Sequence, residues 1–159
     1  MIQVGDTIPS VTVRQITAEG PKEVSTGDFF AGKKVALFAV PGAFTSTCSA
    51  KHLPSFANNA AAFKAKGVDA IACVSVNDAA VMKAWGESSG TTDTVTMLAD
   101  GNGDFARAVG LEADMTKNGM GKRSRRYAML VDNGVVTQLN LEEPGGFGKS
   151  SGDHLLTQI

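Results

Sequence analysis

The chain has 159 residues, 43% of them apolar and 19% charged, which fits one compact domain with its own core and carries no disordered bias. A formal net charge of −1 gives no overall field pointing to nucleic acid or an anionic membrane. No apolar run reaches the ~18 residues a membrane helix needs, the N-terminus lacks the regions of a signal peptide, and two cysteines are too few for a disulfide framework, so a reducing compartment, the cytoplasm, is expected.

In chain order, short apolar pieces at 11–16 and 23–24 around Gly20-Pro21 predict an edge β-hairpin. Residues 35–40 form a continuous apolar run closed by Pro41-Gly42, the pattern of a strand buried on both faces. An alanine-rich helix is predicted over 48–66 with a stop at Gly67, followed by a second buried strand over 70–76, which together complete a right-handed βαβ unit. Asn77-Asp78 caps a helix through Trp85, then come a strand over 94–99 and a short helix over 104–109 ended by Gly110. The last feature is a hairpin of 127–131 and 135–139 turned by Asn133-Gly134, a pair suited to the type I′ turn. With no repeat, linker or composition break, residues 1–159 read as a single α/β domain with a mixed sheet flanked by helices.

The chemistry concentrates in Pro41-Gly42-Ala43-Phe44-Thr45-Ser46-Thr47-Cys48, between the carboxyl end of a buried strand and the start of a helix. Open α/β sheets bind ligands in that crevice. A cysteine in a first helical turn meets unsatisfied backbone N–H groups and the positive end of the helix dipole, which favour the nucleophilic thiolate. A thiolate that attacks a peroxide oxygen needs donors and positive charge for the departing oxygen. Thr45 offers a hydroxyl able to accept and donate, and Pro41 fixes the backbone and helps keep bulk water off the sulfur. For the cation, Lys122-Arg123-Ser124-Arg125-Arg126 supplies candidates; Arg126 directly precedes the final hairpin and can be held rigidly, whereas its neighbours are expected in a loop.

His52 follows Cys48 by one helical turn and can tune the site or relay a proton; the plainer expectation is a helix histidine satisfied by backbone or water. Pro54 cannot bond the carbonyl of Ala50, so the first turn is expected to be weakly tied and easy to unwind.

The run Pro-Gly-Ala-Phe-Thr-x-x-Cys-Ser followed by His-Leu-Pro resembles the type II, or peroxiredoxin 5, branch of the peroxiredoxins. The resemblance continues through Val76-Asn77-Asp78, Ala84-Trp85, Leu98-Ala99-Asp100, Arg123-Ser-x-Arg-Arg126-Tyr127 and Asn133-Gly134-Val135-Val136, nearly the whole chain. It implies a thioredoxin-like fold and reduction of hydrogen peroxide and organic hydroperoxides, without a cofactor, through a Cys48 sulfenic acid. Activating roles fall on Pro41, Thr45 and Arg126, and the backbone N–H groups of Thr47 and Cys48 hold the peroxide. The implied partners are an external thiol, either glutathione with glutaredoxin or thioredoxin, and a second copy of the chain in a homodimer. Ser46 stands where many relatives have proline, and residues 143–151 contain no resolving cysteine.

Some type II relatives carry a second cysteine near Cys73, so a resolving role is one reading. Cys73 is expected roughly 10 Å below the sheet edge, however, while a disulfide wants Cα atoms within about 7 Å. A buried, inert thiol is the favoured expectation.

Other signals are weaker. Gly101-x-Gly103-x-x-Ala106 lacks the helix length and acidic partner of a dinucleotide site. Gly148-Lys149-Ser150 lacks the first glycine of a phosphate loop, which falls on Glu143. The basic run at 122–126 has no interleaved aromatics for nucleic acid, Trp85 and Phe105 read as core, and two cysteines with two distant histidines make no metal site. The competing functions are a thioredoxin-like disulfide oxidoreductase, disfavoured because position 45 is threonine rather than the first cysteine of Cys-x-x-Cys, and a redox-sensing or chaperone-like switch.

Overall fold

The computed structural model describes residues 1–159. Strands β1 (Thr12–Thr17) and β2 (Gly20–Ser25) pair as the expected antiparallel hairpin, and helix α1 (Thr26–Phe30) follows with the Ser25 hydroxyl accepting from the Asp28 N–H. Strand β3 (Lys34–Val40) is the continuous apolar run. Its alternate residues serve two cores: Ala36, Phe38 and Val40 pack with Phe56 and Trp85, while Val35, Leu37 and Ala39 pack with Phe30, Phe105 and Tyr127. Burial on both faces explains why this stretch shows no polar alternation.

The predicted helix over 48–66 is a correction, because it is three pieces. A π-helical turn, Cys48–His52, leads into α2 (Leu53–Ala57), and after Asn58-Asn59 comes α3 (Ala60–Ala65). Proline cannot donate at position 54, and the Leu53 N–H bonds back to the Cys48 carbonyl, one residue further than in an α-helix. At the second break the Asn59 side chain donates to Ser55 O and to Asp153 Oδ1, both at 2.6 Å. Asparagine readily adopts such local alternatives to the helix.

Strand β4 (Ala70–Ser75) runs parallel to β3, completing the βαβ unit. Helix α4 (Ala79–Ser89), capped by Asp78, continues four residues past Trp85 and stops at Gly90, whose φ of +68° suits the left-handed cap. Strand β5 (Thr96–Ala99) and helix α5 (Asp104–Ala108) follow. The expected loop at Lys122 is a second correction. Strands β6 (Glu112–Asp114) and β7 (Lys122–Ser124) pair, with Asp114 opposite Lys122 and their side chains 2.9 Å apart. The hairpin of β8 (Tyr127–Asp132) and β9 (Val135–Leu141) turns at Asn133-Gly134, both at positive φ as a type I′ turn requires. Helix α6 (Gly152–Thr157) ends the fold. The main sheet runs β2-β1-β5-β4-β3-β8-β9, parallel at its centre and antiparallel towards its edges. No helix is long and apolar enough to cross a membrane.

Helix α6 starts hard against α2. The Gly152 N–H donates to Ser55 Oγ at 3.0 Å, and a Cβ at position 152 would lie 2.3 Å from the Ser55 carbonyl oxygen. Backbone cannot yield as a flexible side chain can. Gly152→Ala is expected to lower unfolding free energy by about 1–3 kcal/mol; a denaturant midpoint equal to the parent's would contradict the close approach.

Candidate active site

The loop after β3 carries the site, and polar anchors from neighbouring elements hold it. The Ala43 N–H donates to Asn77 Oδ1 at 3.0 Å, and Ser75 Oγ donates to the same oxygen at 2.6 Å. Beneath the loop the Arg123 guanidinium bridges Met120 O and Val76 O at 2.9 and 3.1 Å. Phe44 is exposed with φ of 64°, a left-handed conformation that is strained for an aromatic residue.

Cys48 is fully buried. Arg126 Nη2 donates to its Sγ at 3.0 Å, so the expected cation and the expected nucleophile are in direct contact. The backbone N–H groups of Thr47 and Cys48 donate to no acceptor in the chain and are free for a ligand. The helix that begins at Cys48 is shorter than expected, a π turn continuous with α2 that ends at Ala57, and Arg126 adds a full positive charge to its dipole at the sulfur. Thr45 Oγ1 donates to Gly42 O at 2.8 Å, which commits its proton and leaves the oxygen as an acceptor.

Pro41, Thr45, Thr47 and Arg126 line a cavity of about 650 Å³ together with Met115 and Met120. That volume exceeds what hydrogen peroxide alone fills. No cluster of three or more His, Cys, Asp or Glu side chains is placed to hold a metal ion.

His52 is fully buried and does more than satisfy the backbone. Its Nδ1 accepts from Arg126 Nη1 at 2.7 Å, and its Nε2 lies 2.9 Å from Ser150 O, so the proton belongs on Nε2. Burial first, then the positive charge of Arg126, lowers its pKa to about 3, against a partial offset from the Ser150 carbonyl. The relay expectation finds no support in this geometry, since the ring is neutral at physiological pH and its only proton faces a backbone carbonyl.

Cys73 lies in β4 between Phe38 of β3 and Met97 of β5, two residues from the end of its strand. It is completely buried in the same apolar cluster as Cys48, and burial pushes its thiol well above the usual range. Both cysteines are free.

Several site residues went unread in the sequence. Ser49 Oγ accepts from Trp85 Nε1 at 3.0 Å, tying the turn beside Cys48 to α4. Buried Glu142 accepts from both the N–H and the hydroxyl of Ser150 at 2.8 Å. No alternating pattern marked Glu142, because a β-bulge opposite Leu130 and Val131 breaks the parity of β9 between Val136 and Asn140.

The sheet order and the cysteine–arginine pair define a thioredoxin-like domain built for thiol redox chemistry. A family model described as Redoxin matches residues 3–156. The chain is 54% identical to peroxiredoxin-2E-2, chloroplastic, of Oryza sativa subsp. japonica, over 99% of this chain and 72% of that protein. Among solved structures, reduced Prx3 of Vibrio vulnificus in complex with hydrogen peroxide superposes with a TM-score of 0.96 at 53% identity, covering 99% of both chains. Peroxiredoxin 5 of Alvinella pompejana gives a TM-score of 0.88 at 38% identity, over 99% of this chain and 97% of that one. The chain belongs to the redoxin family, and within it to the type II peroxiredoxins.

The depressed basicity of His52 has a consequence for stability. Below about pH 6.5 the unfolded chain binds a proton at this ring, whereas the folded chain resists until about pH 3. Its contribution is therefore present above the unfolded value and is lost as pH falls through that window, at up to about 1.4 kcal/mol per pH unit. Urea unfolding from pH 7 to 4 checks this, and His52→Asn is expected to flatten the acid limb.

Proposed function

We infer that the chain is a thiol-dependent peroxidase of antioxidant type whose reacting atom is the sulfur of Cys48. One contact carries the assignment of the atom: the Arg126 guanidinium 3.0 Å from Cys48 Sγ. In the step we propose, a lone pair of the thiolate attacks one peroxide oxygen, an S–O bond forms and the O–O bond breaks. The departing alkoxide or hydroxide takes a proton to leave as alcohol or water, and the sulfur is left as sulfenic acid. Arg126 and the N–H groups of Thr47 and Cys48 stabilise the negative charge as it moves from sulfur to oxygen. The Thr45 oxygen accepts the proton side of the hydroperoxide, and Pro41 shields the sulfur. The cavity beside these residues has room for the organic part of a larger hydroperoxide.

A first external thiol then attacks the sulfenic sulfur, releasing water and forming a mixed disulfide, which a second thiol cleaves to regenerate Cys48. Glutathione with glutaredoxin, or thioredoxin, fits this role, since residues 143–151 hold no cysteine. Until that attack, further peroxide drives the sulfur towards sulfinic acid. We propose that the 159 residues act as one domain, in a homodimer, as the family resemblance suggests. We place it in the cytoplasm on the strength of two free thiols; the plant relative's name says chloroplastic, so family membership alone does not fix the compartment.

Stopped-flow oxidation by hydrogen peroxide tests the assignment. Cys48→Ser is expected to abolish sulfenate formation, and Arg126→Ala to slow it about 10²–10³-fold. An Arg126→Ala protein as fast as the parent would remove the arginine from the mechanism. Cys73 is proposed to stay out of the cycle. Cys73→Ser should keep full turnover with an external thiol, and parent protein given one equivalent of peroxide should gain one oxygen; a Cys48–Cys73 disulfide in the mass spectrum would instead make Cys73 the resolving thiol.

A further inference from the structure

We propose that His52 is a positioning residue that gives Arg126 an uncharged acceptor, aligning the guanidinium on Cys48 without cancelling its charge, and that Ser150 and Glu142 hold the imidazole for that task. This rests on the reading of Cys48 and Arg126 as the reacting pair.

An arginine has five N–H donors on a flexible stem, and an unanchored guanidinium loses rotamer freedom whenever it meets the sulfur. A carboxylate is the common anchor, but its negative charge would offset the field that the thiolate and departing oxygen need. Here Arg126 forms no salt bridge. Its Nη1 goes to His52 Nδ1 at 2.7 Å while Nη2 goes to the sulfur at 3.0 Å, so one fork holds the geometry and the other does the work.

The imidazole is fixed in turn. Arginine can only donate, so Nδ1 must accept and Nε2 must carry the proton, which it gives to Ser150 O at 2.9 Å. That carbonyl cannot drift, because the Ser150 N–H and hydroxyl both donate to Glu142 Oε2 at 2.8 Å. Rings of Phe38, Phe147 and Phe56 surround the imidazole at 4.9, 5.5 and 5.7 Å. The apolar enclosure is why the ring resists a second proton. The carboxylate of Glu142 makes no salt bridge with Arg126, and the direct contact between the two residues is from the Glu142 N–H to the Arg126 carbonyl at 3.0 Å.

Three isosteric changes separate charge from geometry. His52→Asn puts a neutral oxygen near the position of Nδ1 and should rescue most of the parent rate of sulfenate formation. His52→Gln aims its amide at the Ser150 end and leaves Arg126 untied, and His52→Asp keeps an acceptor but adds negative charge; each should slow the reaction about 10–100-fold. The Gln-to-parent rate ratio should be flat with pH, whereas the Asp-to-parent ratio should fall as pH rises and the carboxyl ionises. Gln and Asp variants at the parent rate, or an Asn variant as slow as both, would overturn the proposal. The parent offers a readout free of mutation: nitrogen NMR of His52 should show the neutral Nε2–H form unchanged between pH 7 and pH 5, and a titration near the ordinary value of about 6.5 would sink the idea. If the parent itself forms no sulfenate with peroxide, the assignment of Cys48 fails instead, which is a separate result.

Discussion

A guanidinium in contact with a buried sulfur is the constraint on which this molecule is organised. Taken alone, a thiolate out of water is unfavourable, and so is an arginine with no counter-ion. In the proposed mechanism the negative charge on sulfur and the positive charge on arginine each offset the desolvation of the other. The pair also has a direction in the proposed mechanism, because Arg126, which touches the sulfur, also lines the cavity on that side of the loop.

The sheet makes that contact a consequence of register. Strands β3 and β8 are antiparallel neighbours, with Ala39 opposite Tyr127. The residue after the end of one strand and the residue before the start of the other therefore face the same edge, and these are Pro41, which opens the loop to Cys48, and Arg126. Parallel β4 brings Ser75 and Asn77 to that edge from the other side, where they tether the loop. These groups lie far apart in sequence yet meet at one end of the central strands.

What could be read in the sequence was what local pattern encodes. The apolar runs of β3 and β4 announced strands buried on both faces, Asn133-Gly134 announced its turn, and the loop motif with Arg126 gave the principal pair. What could not be read depends on contacts between distant segments. The break at Asn58-Asn59 is stabilised by Asp153, which no propensity in an alanine-rich stretch reveals. The β6–β7 pair is too short to show an alternating pattern, and it is registered by one cross-strand Asp–Lys contact. The roles of Ser150 and Glu142 exist only because the C-terminal segment folds back over His52. For Thr45, the sequence supplied the hydroxyl but not the carbonyl that takes its proton.

The bond from Trp85 to Ser49 has one more implication. This indole is the only one in the chain, and it is fastened to Ser49, the residue next to Cys48. Any rearrangement of that turn that frees the sulfur for a bulky partner must disturb the indole's environment. The protein thus carries its own optical label beside Cys48, and its intrinsic emission is placed to report a rearrangement of that turn without an added dye.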